Sequence, residues 1–280
     1  MLRIALFLAT NLAVLAMAAI AMYVLTALGF IPPNAPYTQM LIWCALFGFG
    51  GSIFSLAISK WVAKKSTRAH VIETPSNETE RWLMSTVERQ AKAAGIGMPE
   101  VAVYDSPDPN AFATGMFRNN ALVAVSTGLL RLMNKNEVEA VLGHEISHVS
   151  NGDMITLTLI QGVLNTFVLF IARIIASQFD RGRFLIYIAL QMAFGVLASM
   201  IVAWFSRRRE FRADEGGASL ESPAAMAAAL NRLRTMRDAP SQLPDNMTAM
   251  GIRGEGMMKL MATHPPLEER IARLQQMSSR

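Results

Sequence analysis

Two of the four histidines in this 280-residue chain, His144 and His148, stand four positions apart, and Glu145 follows the first. On a helix that spacing puts both imidazoles on one face, one turn apart, where they can hold a single metal ion. Glu145 then lies beside the ion rather than on it, placed to take a proton from a water that the metal acidifies. Free structural histidines at this spacing would carry a polar cost inside an apolar helix face, which argues against a purely structural pair. The sequence E-I-S-H also fits half of a di-iron carboxylate site, but that site needs the motif twice, and no second E-x-x-H occurs. With one cysteine, Cys44, a thiolate zinc site is excluded and so is an intramolecular disulfide. One Zn²⁺ per chain, held by His and carboxylate ligands, is the expected cofactor.

A catalytic zinc keeps three protein ligands and one open position. The candidates for the third ligand are Asp153, Glu210, Asp214, Glu215 and His264. Asp153 reads as the N-cap of the segment that follows it. Glu210 and Asp214 are four apart on one helix face, so one can bind the metal while the other orients a ligand histidine. Three arginines precede Glu210, and in isolation it would read as their ion-pair partner. Next to the histidine pair it reads as the ligand.

The elements that must position these residues are partly membrane-bound. Hydrophobic residues make up 52% of the chain, too many for an ordinary soluble domain. No charged residue occurs between Ile4 and Ser59, and the run breaks once, at the proline-rich 29–39. This predicts two transmembrane helices, at about 4–28 and 40–58. The segment 154–172 and the segment 184–206 are also uncharged, and 177–183 is a short polar turn, which predicts a transmembrane hairpin. The first span is too long for a signal peptide and is followed at once by another, so it reads as a retained anchor. Lys60, Lys64, Lys65 and Arg68 follow the second span, and Arg207, Arg208, Arg209 and Arg212 follow the fourth. Arg173, Arg181 and Arg183 are a smaller signal of the opposite sense. The balance puts both termini and the soluble blocks in the cytoplasm. The net charge of +5 is thus membrane-flanking charge, and no nucleic-acid-binding motif accompanies it.

The expected organisation is two spans in 1–59, a soluble block with the histidine-bearing helix in 60–153, a membrane hairpin in 154–206 and a second soluble block in 207–280. Within the blocks, 78–97 has helical periodicity, 98–106 reads as a strand, and 107–130 holds two strands turning at Asn119-Asn120. Asn134 with Glu137 forms a capping box for the helix that carries the histidines. Ser222 and Pro223 start another helix. Residues 238–256 read as a loop, and 264–277 as a short amphipathic helix. Because the hairpin returns the chain to the same side, it is expected to draw Glu210 toward the histidines near the cytoplasmic lipid surface.

The motif HEISH, the membrane hairpin, SRRREFRAD, THPPLEERI and PNAFATG, taken together along the whole chain, resemble the bacterial HtpX-type membrane zinc proteases. These are gluzincins related to the type 1 CAAX prenyl endopeptidases. The resemblance implies an α+β, zincin-like metalloprotease domain with a small antiparallel sheet, fused to four transmembrane helices. It implies His144, His148 and Glu210 as zinc ligands, Glu145 as general base and Asp214 as the residue orienting the first histidine. It places His264 near the oxyanion, and Asn110, Ala111, Phe112 and Ala113 along the substrate cleft, where an edge strand can pair with an extended peptide. It further implies an enzyme of the bacterial inner membrane that clears damaged or misfolded membrane proteins in a stress response. A prenyl-peptide processing enzyme would need a large enclosed chamber and more spans. A non-catalytic membrane holdase or scaffold would have no use for Glu145. Oligomeric state and natural substrates are not encoded in these motifs.

Overall fold

The computed structural model describes residues 37–237 and 263–278, together with Tyr23 and Ala27. The expected span at 4–28 and the loop 238–256 lie outside the described residues. Two compact units arise, one from the chain up to Ser55 with Thr156–Val202, the other from Leu56–Ile155 with the chain from Ala203 onward.

The first unit contains the apolar parts of three helices, α1 (Tyr37–Thr67), α5 (Asp153–Ser177) and α6 (Arg183–Leu220). Their apolar windows have mean hydropathies of 2.0, 2.0 and 2.2, and each helix is long enough to cross a bilayer. Trp43, Phe47, Phe54, Leu185 and Met192 stand exposed on them. So much apolar surface with no protein cover needs lipid around it. Helices α1 and α5 touch through small residues: a Cβ on Gly48 would lie 2.6 Å from the Thr166 nitrogen. Asn165 Nδ2 also donates to Ser52 Oγ between them. Close backbone approach and a few interhelical hydrogen bonds are what hold apolar helices together where water gives no drive.

The second unit has a four-stranded sheet made of β1 (His70–Val71), β2 (Glu100–Tyr104), β3 (Ala111–Phe117) and β4 (Asn120–Ser126), in the order β1-β2-β4-β3. The sheet is mixed, not antiparallel as the sequence suggested, because β4 runs parallel to β2. Burial explains this. Ala121 to Ser126 of β4 are buried on both faces, as befits a central strand. The chain therefore leaves β2, passes over one strand position to lay β3 at the edge, and turns back to fill the gap with β4. Arg118-Asn119 form that turn, and Phe117 faces Asn120 across it.

Against one face lie α2 (Glu78–Ala93), α4 (Lys135–Asn151), α7 (Pro223–Arg237) and α8 (Leu267–Ser278), while α3 (Thr127–Leu132) follows β4 directly. Leu142 and Ile146 of α4 are fully buried with Leu83, Val123, Met226, Leu230 and Leu274. Each such side chain contributes about 1.5–3 kcal/mol by leaving water. The capping box of Asn134 and Glu137 is present in both directions, and Ser222 Oγ accepts from the Ala225 nitrogen at the start of α7. Helix α4 ends at Gly152, whose φ of 67° is left-handed. That conformation suits glycine and lets α5 begin at the very next residue. The last turns of α1 cover the opposite face of the sheet, with Ala63 over Ala102, Tyr104, Leu122 and Ala124.

Candidate metal centre

Three ligand-type side chains meet in the second unit. His144 and His148 project from α4, and Glu210 comes from the part of α6 beyond Ala203; all three are buried. His144 Nε2 lies 3.6 Å from Glu210 Oε2, and His148 Nε2 lies 3.3 Å from Glu210 Oε1. Charge-assisted hydrogen bonds are shorter, near 2.7–2.9 Å. Ligands at about 2.0–2.1 Å in a tetrahedron are roughly 3.3 Å apart, so this spacing suits a cation between the three atoms. Glu210 Oε2 is within 2.7 Å of His264 Nδ1 and 3.3 Å of Arg270 Nη1. None of these contacts is aligned as a hydrogen bond, which leaves a buried carboxylate oxygen without a directional donor. Such an oxygen is costly unless a cation satisfies it. The donor set of two imidazoles and one carboxylate therefore fits a divalent metal.

Each ring has a carboxylate behind it. Asp214 Oδ1 is 2.9 Å from His144 Nδ1, and Asp153 Oδ2 is 2.7 Å from His148 Nδ1. The Asp153 contact is a hydrogen bond, whereas His144 Nδ1 meets Asp214 at ion-pair distance without hydrogen-bond alignment; both leave Nε2 turned toward Glu210. Burial alone would pull the pKa of His148 down, but Asp153 and Glu210 outweigh it and push it up to about 10. His144 is likewise raised, since Asp214 and Glu210 overcome desolvation. Asp214 is itself held in a fork by Arg270, at 2.7 and 2.6 Å. Arg270 is buried, and its pairing with Asp214 more than offsets the desolvation of its charge.

Glu145 opens on the same cavity as His144. Burial raises its pKa above the ordinary glutamate value, against the pull of the two imidazoles. The nearby Ala113 backbone N–H also pulls it down. That proximity follows from strand geometry. Asn110 is bonded inward to β4, its carbonyl accepting from the Ser126 nitrogen and its N–H donating to Ser126 Oγ. In an antiparallel ladder the backbone groups of Ala111 and Ala113 then point outward, toward the free edge. No described strand lies beyond β3. Asn110 and Ala111 line the cavity of about 190 Å³, with Leu129, Val141 and Met226 as its apolar wall. Phe112 alternates to the other face of the sheet, where its ring lies 5.7 Å from that of Tyr104. Its side chain is not part of the cavity.

His264 lies at the cavity beside Glu210, with its side chain 64% exposed. Three further contributors stand around the centre. Asp153, one of the candidate third ligands, begins α5, and its carboxylate lies behind the His148 ring rather than among the three ligand atoms. Arg270 stands 56 residues from Asp214, and nothing local announces the pair. The third is the glycine pair 216–217. A Cβ on Gly217 would lie 2.9 Å from the His144 nitrogen, and one on Gly216 would lie 2.7 Å from Ser147 Cβ. These two positions let α6 press against α4 closely enough for Glu210 to reach both rings. A glycine pair inside a helix costs about 1 kcal/mol per residue, which was a readable signal of such contact.

The model of a family described as Peptidase family M48 matches residues 77–278. The chain is 56% identical to the "Protease HtpX" of Thioalkalivibrio sulfidiphilus, with 98% of this chain and 99% of that protein covered. It is 58% identical to the "Protease HtpX" of Stenotrophomonas maltophilia, with 97% of each covered. Among solved structures, the crystal structure of S. mikatae Ste24p superposes with a TM-score of 0.61 at 17% identity. That match covers 96% of this chain and 66% of the other, and shows a shared fold.

Proposed function

The chain belongs to peptidase family M48, and from that membership we propose the chemistry its side chains carry out. It is a membrane metalloprotease, and the metal is zinc, held by His144, His148 and Glu210. Two imidazoles and one carboxylate, with no thiolate, are a recurrent donor set of catalytic zinc. When bound, the ion acidifies a water and polarises the peptide carbonyl.

The protein's own groups do the rest. Glu145 takes the proton of the attacking water and delivers it to the departing amine. Its raised pKa brings it nearer to neutral pH, where one group can both accept and return a proton. Asp214 and Asp153 hold the imidazoles in register. Ala111 and Ala113 pair through their outward backbone groups with an extended substrate segment, with Asn110 at the head of the strand. His264, whose Nδ1 lies 2.7 Å from Glu210 Oε2 at the cavity, is assigned by the family resemblance to stabilise negative charge developing on the substrate oxygen. Phe112 supports the cleft only indirectly, its backbone facing β4 and its ring packed on Tyr104 at the opposite face of the sheet.

The substrates are membrane proteins cut on the cytoplasmic side of a bacterial inner membrane. The basic residues that follow the second and fourth spans support that orientation. The family resemblance adds damaged or misfolded chains as the substrate class. The observation that carries the reading is the meeting of the three buried ligand atoms beside Glu145 and a free strand edge.

Wild type, Glu145→Gln and Glu210→Ala, purified in the same detergent, test it by zinc content and cleavage of a membrane-protein substrate. Glu145→Gln is expected to keep zinc and to lose activity by roughly 10²–10⁴-fold. Glu210→Ala is expected to lose both. Cleavage by Glu145→Gln at the wild-type rate would refute the assigned base, and full zinc in Glu210→Ala would refute the third ligand.

A further inference from the structure

Among the described residues two arginines are buried, Arg209 and Arg270. A guanidinium out of water is costly unless it is paired, so each partner carries meaning. Arg209 donates to a main-chain oxygen, that of Asp153. Arg270 faces acids instead. Its Nε and Nη2 donate to the two oxygens of Asp214, and its Nη1 lies 3.3 Å from Glu210 Oε2. Glu210 and Asp214 stand four apart on α6, so their carboxylates are neighbours that repel. One planar guanidinium answers both. Because its fork has a fixed geometry, it governs their separation as well as their charge. Asp214 in turn lies 2.9 Å from His144 Nδ1. A single side chain of α8 therefore lies against one ligand and stands one residue removed from a second.

The helix that carries Arg270 is seated on the same turn of α6 by its next turn. The Arg273 guanidinium lies over the Phe211 ring, 3.7 Å from its centroid. Leu274 is buried in the core that also holds Leu142 and Ile146 of α4. Positions 270, 273 and 274 share one face of α8, and 210, 211 and 214 belong to one turn of α6. The contacts of α8 thus converge on the stretch that supplies the third ligand.

We propose that Arg270 is a positioning residue of the metal centre: its fork holds Asp214 behind His144 and sets Glu210 at the spacing the ion needs, so that docking of α8 and metal binding strengthen each other. This rests on the reading of His144, His148 and Glu210 as the metal ligands. Other roles for the same residue predict other outcomes. A guanidinium acting only as a charge repels a divalent cation, so its removal would tighten binding. One that only secures the fold would leave the affinity of the folded protein unchanged. A positioning role predicts weaker binding. The coupling is reciprocal. An ion that fixes Glu210 and His144 keeps Asp214 in place for Arg270, so metal holds α8 down.

The test uses full-length chains purified in detergent and stripped of metal, each carrying Glu145→Gln to prevent self-digestion. Zinc affinity is read by competition with a fluorescent chelator. Cobalt is added in parallel, because its visible absorption reports ligand geometry. Arg270→Lys keeps the charge and loses the fork. It is expected to bind zinc roughly tenfold more weakly and to alter the cobalt bands. Parental affinity and spectrum in Arg270→Lys would overturn the proposal, and so would tighter binding in Arg270→Gln. Asp214→Asn tests the route. Adding Arg270→Lys to it should cost little further affinity, and a second tenfold loss would overturn action through Asp214. If these variants fail to fold, hydrogen exchange in the parent decides. Zinc should slow exchange of the α8 amides more than that of the α2 amides, and equal or absent slowing at α8 would overturn the coupling. A parent that binds no zinc would remove the ligand set, and the proposal with it.

Discussion

At the scale of single residues, the centre is a cluster of buried charges in which a proton on the imidazoles or a metal ion between them answers Glu210. His144, His148, Glu210, Asp214, Asp153 and Arg270 are buried together. Removing one partner strands another, a cost of several kcal/mol for a buried charge. Asp153 orients His148, so Asp153→Asn is expected to weaken zinc binding by roughly 10–100-fold with the fold retained. Competition with a fluorescent chelator measures this directly; unchanged affinity would make Asp153 a helix cap only. Protons compete for the same atoms. Both ring pKa values are raised, that of His148 to about 10. Each ring therefore keeps its proton to a higher pH than a free imidazole, and a metal must displace it. Apparent zinc affinity should fall as pH drops and should keep rising above pH 7, where an ordinary imidazole has already lost its proton. Chelator competition at several pH values between about 6 and 8.5 checks the sign, and a plateau from pH 7 upward would contradict it.

At the scale of elements, the site depends on how closely α4 and α6 approach. Gly216 faces the Ser147 side chain, whereas Gly217 faces the His144 backbone. The two should differ under substitution. Gly216→Ala collides with a side chain, so adding Ser147→Gly should restore zinc binding. Gly217→Ala collides with main chain, and no single partner change should rescue it. Zinc content and Tm of the single and paired variants decide the matter. The sheet teaches a similar lesson. The strands themselves are legible from apolar runs, with the turn one residue earlier than the expected Asn119-Asn120, at Arg118-Asn119, but pairing is not. The central place of β4 comes from burial on both faces, which an apolar run such as ALVAV permits and cannot specify by itself.

At the scale of the whole molecule, three described helices are long and apolar enough to cross a bilayer. Lys60, Lys64 and Lys65 lie on one beyond its uncharged stretch, and so do Arg207, Arg208 and Arg209 on another. Added protease should therefore remove a C-terminal tag in inverted inner-membrane vesicles and leave it intact in right-side-out spheroplasts. Digestion in spheroplasts would reverse the topology.

The local pattern in the sequence determined the parts that depend on near neighbours. Apolar length picked out the three described helices long enough to cross a bilayer, the i, i+4 period put both imidazoles on one helix face, and the capping box started that helix at Lys135. The carboxylate at 210 was legible because its spacing from Asp214 and the family motifs around it are also local. Tertiary structure alone decided that Arg270 grips Asp214, that Asp153 turns toward His148, that Phe112 faces away from the cavity, and that β4 runs parallel to β2. Each of these depends on which surfaces meet once water is excluded. Packing joins residues tens of positions apart by shape and charge, and a one-dimensional pattern records neither.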